Sequence, residues 1–260
     1  MPTKLKTNVL IALVLALPLS TAAQPAAQNA TRAGRGARLS SSEEPRFVKA
    51  FVVDDRLSVL RRDANLKSQA VQRLRLGRPV YIIGSRTGKV GESKFYRVAV
   101  TRRTRGWIHA SAVAIPGRTG EDKRVLQLAE TASDGFDRIA LCLLLNERFK
   151  TSPLVPRALL VMAGEAERAG STLGKRAAKR VATIHPGTAN AGQRDYYLND
   201  VALDRFSKLR ISFDFDDVAG EYVYDGAAYR AIIKRFPASD SAKIARQRLE
   251  LVEKRLAHRE

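Results

Sequence analysis

Gly106-Trp107-Ile108-His109-Ala110-Ser111-Ala112-Val113 decides how this chain is read. It carries the only tryptophan, set behind a glycine and ahead of a run of small and apolar residues. Well upstream stands Leu57-Ser58-Val59-Leu60-Arg61, where Leu57 and Val59 alternate with Ser58 as in a half-buried strand. Short apolar segments and turn residues alternate between the two. Phe47 to Val53 opens the set. Val80-Tyr81-Ile82-Ile83 and Phe95-Tyr96-Arg97-Val98-Ala99-Val100 are β-branched and aromatic, a composition that fits a pleated surface. Gly77-Arg78-Pro79 predicts a turn, residues 84–91 a long hairpin loop, and Thr101 to Gly106 a tight basic turn. A short helical turn is expected at Ala110 to Val113. Closely spaced short strands of this kind predict a barrel or sandwich over residues 46–116.

Beyond residue 120 the apolar period becomes helical. Val125, Leu126, Leu128 and Ala129 share one face. Ile139, Cys142, Leu143 and Leu145 do the same between Phe136 and Phe149, and Pro153 and Pro156 interrupt the pattern. Ala158, Leu159, Met162, Ala163 and Ala166 mark a helix from Val155 to Arg168, and a separate basic helix is expected from Gly174 to Ile184. Tyr196 to Leu209, Tyr222 to Phe236 and Ser241 to Leu256 complete a predicted all-α region, residues 120–260. A faint repeat runs through it. Arg148-Phe149 is followed by Ser152, Ala158 and Met162, and Arg235-Phe236 by Ser239, Ala245 and Leu249 at the same offsets.

The first residues read as an export leader, residues 1–23. Lys4 and Lys6 precede the apolar run Asn8 to Leu17, which is short for a membrane span, and Ser20-Thr21-Ala22-Ala23 offers a cleavage site. No transmembrane anchor is expected after cleavage, and the predicted location is periplasmic or secreted. Residues 24–45 lack large apolar side chains and cannot offset their chain entropy, so a flexible linker is expected there. The single cysteine, Cys142, sits among leucines and reads as a buried, inert thiol.

Charge is unevenly spread. The chain carries +20 overall and +18 without Lys4 and Lys6. Residues 47–115 hold 15 Lys/Arg against 4 Asp/Glu, whereas residues 116–260 hold 25 against 20. A concentrated positive field attracts polyanions. The leader turns that expectation away from nucleic acid and toward head-group phosphates, acidic glycans or peptidoglycan carboxylates.

No nucleophile–base set stands out. His109, His185 and His258 are scattered, and the zinc-protease, serine-elbow and phosphate-loop patterns are absent from the sequence. Asp214-Phe215-Asp216-Asp217 with Glu221 and Asp225 could bind calcium, but it lacks the glycine and final glutamate of an EF-hand loop. Helix N-terminal capping and dipole complementarity account for the cluster. No enzyme activity, cofactor or metal is expected.

Leu57-Ser58-Val59-Leu60-Arg61, Leu74, Leu76, Gly77, Val80, Tyr96-Arg97-Val98 and Gly106-Trp107-Ile108 together resemble the bacterial SH3 domain. The small-Pro loop usual after the first strand is missing at Arg62-Asp63-Ala64. Residues 228–242 resemble one unit of a tetratricopeptide array. These resemblances imply a multidomain α+β chain, a small SH3-like β-barrel followed by an all-α, tetratricopeptide-like helical-hairpin domain. They imply a non-catalytic adaptor whose barrel takes cell-wall peptide or an anionic envelope polymer and whose helices take a protein partner. An assembly scaffold that binds only proteins is the alternative. Within the barrel, Trp107 reads first as a core anchor and second as a ligand platform, and Tyr81 and Tyr96 are similar cases. Arg102, Arg103 and Arg105 form a cationic tip suited to phosphate or carboxylate.

Overall fold

The structure, a computed structural model, describes residues 47–87, 93–181, 200–216 and 219–257. The expected leader and linker, Tyr196, His185 and His258 lie outside the described residues. The architecture is mixed α+β: an antiparallel sheet of seven strands, then helices.

The strands are β1 (Val48–Val52), β2 (Val59–Arg61), β3 (Ala70–Arg73), β4 (Pro79–Thr87), β5 (Lys94–Ala99), β6 (Arg105–His109) and β7 (Val113–Ala114). A single 3-10 turn, Ala110–Ala112, separates the last two. The strand order is β3-β2-β6-β5-β4-β1-β7. Ala50, Val52, Leu60, Val80, Tyr96, Val98, Ile108 and Val113 meet in one core. These residues come from strands near both ends of that order, so the sheet curves around them. Full burial of Leu60 and Ile108 contributes about 1.5–3 kcal/mol each.

Two local expectations change. Ser58 faces inward with Leu60, and Val59 faces outward. The bulkier Leu60 sets the register, and the buried Ser58 hydroxyl is satisfied by donating to the Asp55 carbonyl at 2.7 Å. The hairpin loop expected from Gly84 starts later, because β4 continues through Gly84 to Thr87 after a bulge between Ile82 and Gly84.

The helical part contains α1 (Glu121–Thr131), α2 (Gly135–Arg148), α3 (Val155–Val181), α4 (Val201–Ser207), α5 (Ala227–Arg235) and α6 (Asp240–Ala257). It is not all α. The hairpin of β8 (Phe213–Asp216) and β9 (Glu221–Tyr224) interrupts it where a helix was expected from Tyr222. The period of two in Phe213-Asp214-Phe215-Asp216 and Tyr222-Val223-Tyr224 explains the correction. Tyr222, Val223 and Tyr224 are all buried, and the Tyr224 hydroxyl accepts from the Ala228 N–H at 2.7 Å.

The helix expected to stop at Arg168 instead runs unbroken to Val181. Gly170 and Gly174 are not breaks in it. They lie one turn apart and let β9 approach. A Cβ on Gly170 would sit 2.5 Å from the Tyr222 carbonyl oxygen, and one on Gly174 would sit 2.8 Å from the Glu221 Cα.

The faint repeat corresponds to two turns built alike. Phe149 and Phe236 each end a helix, donating to the carbonyls of Leu145 and Ile232. Ser152 and Ser239 then donate their N–H to those phenylalanines' carbonyls at 2.9 and 3.0 Å. Both serine hydroxyls accept an N–H of the next helix turn, from Leu154 and Ala242. Ala158 and Ala245, at matching offsets, are fully buried.

β1 joins the two parts. Ala50 and Val52 belong to the sheet core, while Phe51 and Val53 belong to the core built by the helices. Arg124 of α1 reinforces the junction by donating to the carbonyls of Ser111 and Val113 at 2.9 and 2.6 Å.

Candidate ligand-binding face

The outer face of the sheet is read from strand register, because residues paired across strands point to the same side. Arg61 pairs with Trp107, Trp107 with Arg97, and Arg97 with Gly84. This row crosses β2, β6, β5 and β4. A second row is Arg105, Ala99, Tyr81 and Lys49. A third is His109, Phe95 and Arg86. Ile108, next to Trp107, points the other way into the core.

The three rows hold five cations and no carboxylate. Strands lie about 4.8 Å apart, so Arg61 and Arg97 stand about 10 Å from each other on either side of Trp107. Arg86 reaches across β5 to within 5.6 Å of the Trp107 ring. The guanidinium lies over the ring, near the outer limit of a cation–π contact. Arg61 is held by donating to the Ser68 carbonyl at 2.7 Å. Arg97 and Arg105 are exposed and make no ion pair among the described residues.

Tyr81, Arg105 and Trp107 are therefore brought together on this face. Tyr81 is 42% exposed. Arg102 and Arg103 sit at the exposed turn beyond Arg105, which the Thr101 hydroxyl holds by accepting from the N–H groups of Arg103 and Thr104. Tyr96 is not on this face. It is 7% exposed inside the sheet core, and its hydroxyl accepts from Arg118 at 2.9 Å. Trp107 is not a core anchor either: it is half-buried on the outer side.

Gly106 also has a different role from the turn expected of it. It lies within β6, and a Cβ there would meet the Arg61 carbonyl oxygen at 2.7 Å and the Leu60 side chain at 2.8 Å. Its value is close approach of β2 and β6, not backbone freedom. Arg61, Arg86 and Arg97 were missed as candidates. Their signal was present in the period of two counted from Trp107, once the pairing of the strands is known.

His109 serves the backbone. Its Nδ1 accepts from the Ser111 N–H, and its ring packs edge-on to Phe95 at 5.4 Å. In the acidic segment, Asp216 accepts from the Ala219 N–H and Asp225 from the Ala227 N–H ahead of α5. Among the described residues, no cluster of three or more His, Cys, Asp or Glu is placed to hold a metal ion. Cys142 is fully buried, and loss of solvation pushes its thiol up to about 12. No helix among the described residues is long and apolar enough to cross a membrane.

A cleft of about 290 Å³ between α2, α3 and α4 also gathers arginines, Arg168, Arg176 and Arg205. It differs from the sheet face in holding its own counter-charge. Glu165 pairs with Arg168 at 2.9 Å and with Arg138 at 2.6 Å.

No protein-family model matches this chain, and comparison with curated proteins and with solved structures finds no match either.

Proposed function

We propose that this chain is an exported, non-catalytic binding protein. Its basic sheet engages an anionic polymer or peptide of the cell envelope, and its helices engage a protein partner. The observation that carries the proposal is the outer face around Trp107, where five cations stand with no carboxylate among them. Export rests on the apolar leader with its basic start and small-residue end. A bacterial SH3-like barrel is the finer reading of the curved sheet, supported by the shared core of its strands. Tetratricopeptide-like hairpins are the finer reading of the helices, supported by the two matching turns at Phe149 and Phe236. On α6, Ile244 and Leu251 are 46% and 53% exposed, which supports a docking role for that helix.

Co-sedimentation of the full chain with purified peptidoglycan, across a salt series, tests the proposal. Retention that falls steeply with salt is the expected result, since screening weakens exposed charge contacts. Absence of retention at low salt removes the polymer-binding half. A dominant protein adduct on crosslinking in envelope extracts, with no polymer retention, would favour the scaffold reading.

A further inference from the structure

We infer that the row Arg61–Trp107–Arg97–Gly84 is a seat for one sugar ring of an anionic polysaccharide, with Gly84 as its bare floor. The inference rests on the binding role proposed above and names the ligand class for that face.

Glycine in a strand interior weakens the strand and leaves nothing to pack. Gly84 adjoins the β4 bulge, but its backbone conformation does not itself demand glycine. Gly84 is not among the glycines in the left-handed region. A Cβ built on it would touch only the Cβ of Arg97, at an ordinary 3.8 Å. Gly106, by contrast, has no room for a Cβ. Gly84 therefore leaves an open patch of backbone beside Arg97, in the same row as the tryptophan. The bulge accounts for a glycine at this point of β4, and the open patch it leaves gives a ligand room for close approach.

The row's chemistry alternates. Trp107 presents an apolar edge and ring, on which the C–H face of a sugar packs. Arg61 and Arg97 flank it, with Arg86 over one face of the ring, and each guanidinium can grip a carboxylate or phosphate in a bidentate manner. Their separation of about 10 Å across the ring, fixed by strand spacing, suits anions carried on successive rings of a chain. A row that crosses four strands fits a polymer lying along it. An acidic peptide would use the arginines and leave the tryptophan and the bare floor without a role.

The chain's single tryptophan reports on this site directly. Trp107 emission of the full chain is followed during titration with polygalacturonate, poly-aspartate, neutral dextran and an oligo-dT strand. Polygalacturonate is expected to change the emission and to bind about tenfold or more tighter than poly-aspartate, a preference of one tenfold step. Gly84→Val is expected to weaken polygalacturonate about tenfold while leaving the melting temperature equal or higher. Opposite effects on binding and stability are not expected of a merely structural glycine. Should Gly84→Val lower the melting temperature, Arg97→Gln carries the test with the same expected loss. Equal binding of poly-aspartate with no effect of either variant overturns the sugar seat and leaves polyanion binding standing. Tighter binding of oligo-dT overturns it in favour of nucleic acid. If no polymer binds, the seat fails together with the polymer-binding half of the function proposed above.

Discussion

The sheet and the helices use arginine in opposite ways. In the helical part arginine is structural. Arg138 of α2 pairs with Glu165 of α3 at 2.6 Å and also donates to the Ala129 and Ala132 carbonyls at the end of α1. Arg157 of α3 reaches Glu130 of α1 at 2.7 Å, and Arg248 of α6 reaches Glu167 of α3 at 2.9 Å. Glu167 also accepts from the Tyr229 hydroxyl of α5. Among the described residues, every ion pair closer than 3 Å lies in this part. In the sheet, Arg73 and Arg56 stand 3.5 and 4.0 Å from their aspartates, and the arginines around Trp107 have no ion-pair partner among the described residues. The lesson is that formal charge counts mislead until partners are placed. A cation satisfied inside the fold holds helices together. A cation left without an acid on a packed sheet adds self-repulsion, which a bound anion would relieve.

That contrast can be broken by mutation. The largest effect is expected at Glu165→Gln, which leaves the largely buried Arg138 without its carboxylate. Unfolding in denaturant should show a loss of about 2–3 kcal/mol, less than for a fully buried pair because Arg138 keeps 21% exposure. A loss below about 0.5 kcal/mol, the ordinary range for surface changes, would mean that helical arginines are no more structural than those of the sheet.

Next in size are Gly170→Ala and Gly174→Ala. Helix propensity alone favours alanine by about 1 kcal/mol. The clash with β9 should reverse that sign and cost about 1–3 kcal/mol. A gain in melting temperature would show that β9 does not pack this closely on α3.

A smaller effect is expected at Ser152→Ala. The Ser152 hydroxyl donates to the Asp122 carboxylate at 2.6 Å and holds that carboxyl below its usual range. A carboxyl whose folded value is lowered stabilises above its unfolded value, and that contribution disappears as pH falls through the folded one. The variant should lose about 1 kcal/mol at neutral pH, with the gap to the parent closing below about pH 4. Ser239→Ala, in the matching turn, has its hydroxyl on the Phe236 carbonyl instead and should show a loss without that acid dependence.

The smallest effect belongs to the sheet. Arg97→Gln and Arg105→Gln should change stability by less than about 0.5 kcal/mol, or raise it slightly by relieving repulsion. A large loss in either would place these side chains among the structural arginines.

Much of this was legible from residues alone. The strands around Val80, Phe95 and Gly106, the 3-10 turn and the helices after residue 120 follow from period and turn chemistry. The buried state of Cys142 follows from its leucine neighbours. What was hidden depends on pairing. Nothing local says that Tyr96 points in and Trp107 out, because each has an apolar neighbour, Phe95 and Ile108, that could fill the interior in its place. Register decides it, through Ile108 and Val98 filling the interior. Arg61, Arg86 and Arg97 are far apart in sequence and share one face only when β2, β6, β5 and β4 are set side by side. The β8–β9 hairpin was obscured because its acidic residues resemble helix caps. The two helices expected either side of residues 169–173 are one, and the role of Gly170 and Gly174 was hidden because their partner, β9, lies far along the chain.

The orientation of Trp107 in an uncompensated positive field can be read without any ligand, by quenching its fluorescence with iodide and with caesium. Iodide should quench strongly and caesium weakly, because the surrounding arginines concentrate an anion and repel a cation, and Arg97→Gln should narrow the difference. Equal and weak quenching by both, with the emission of a dry interior, would place the ring in the core and contradict the account.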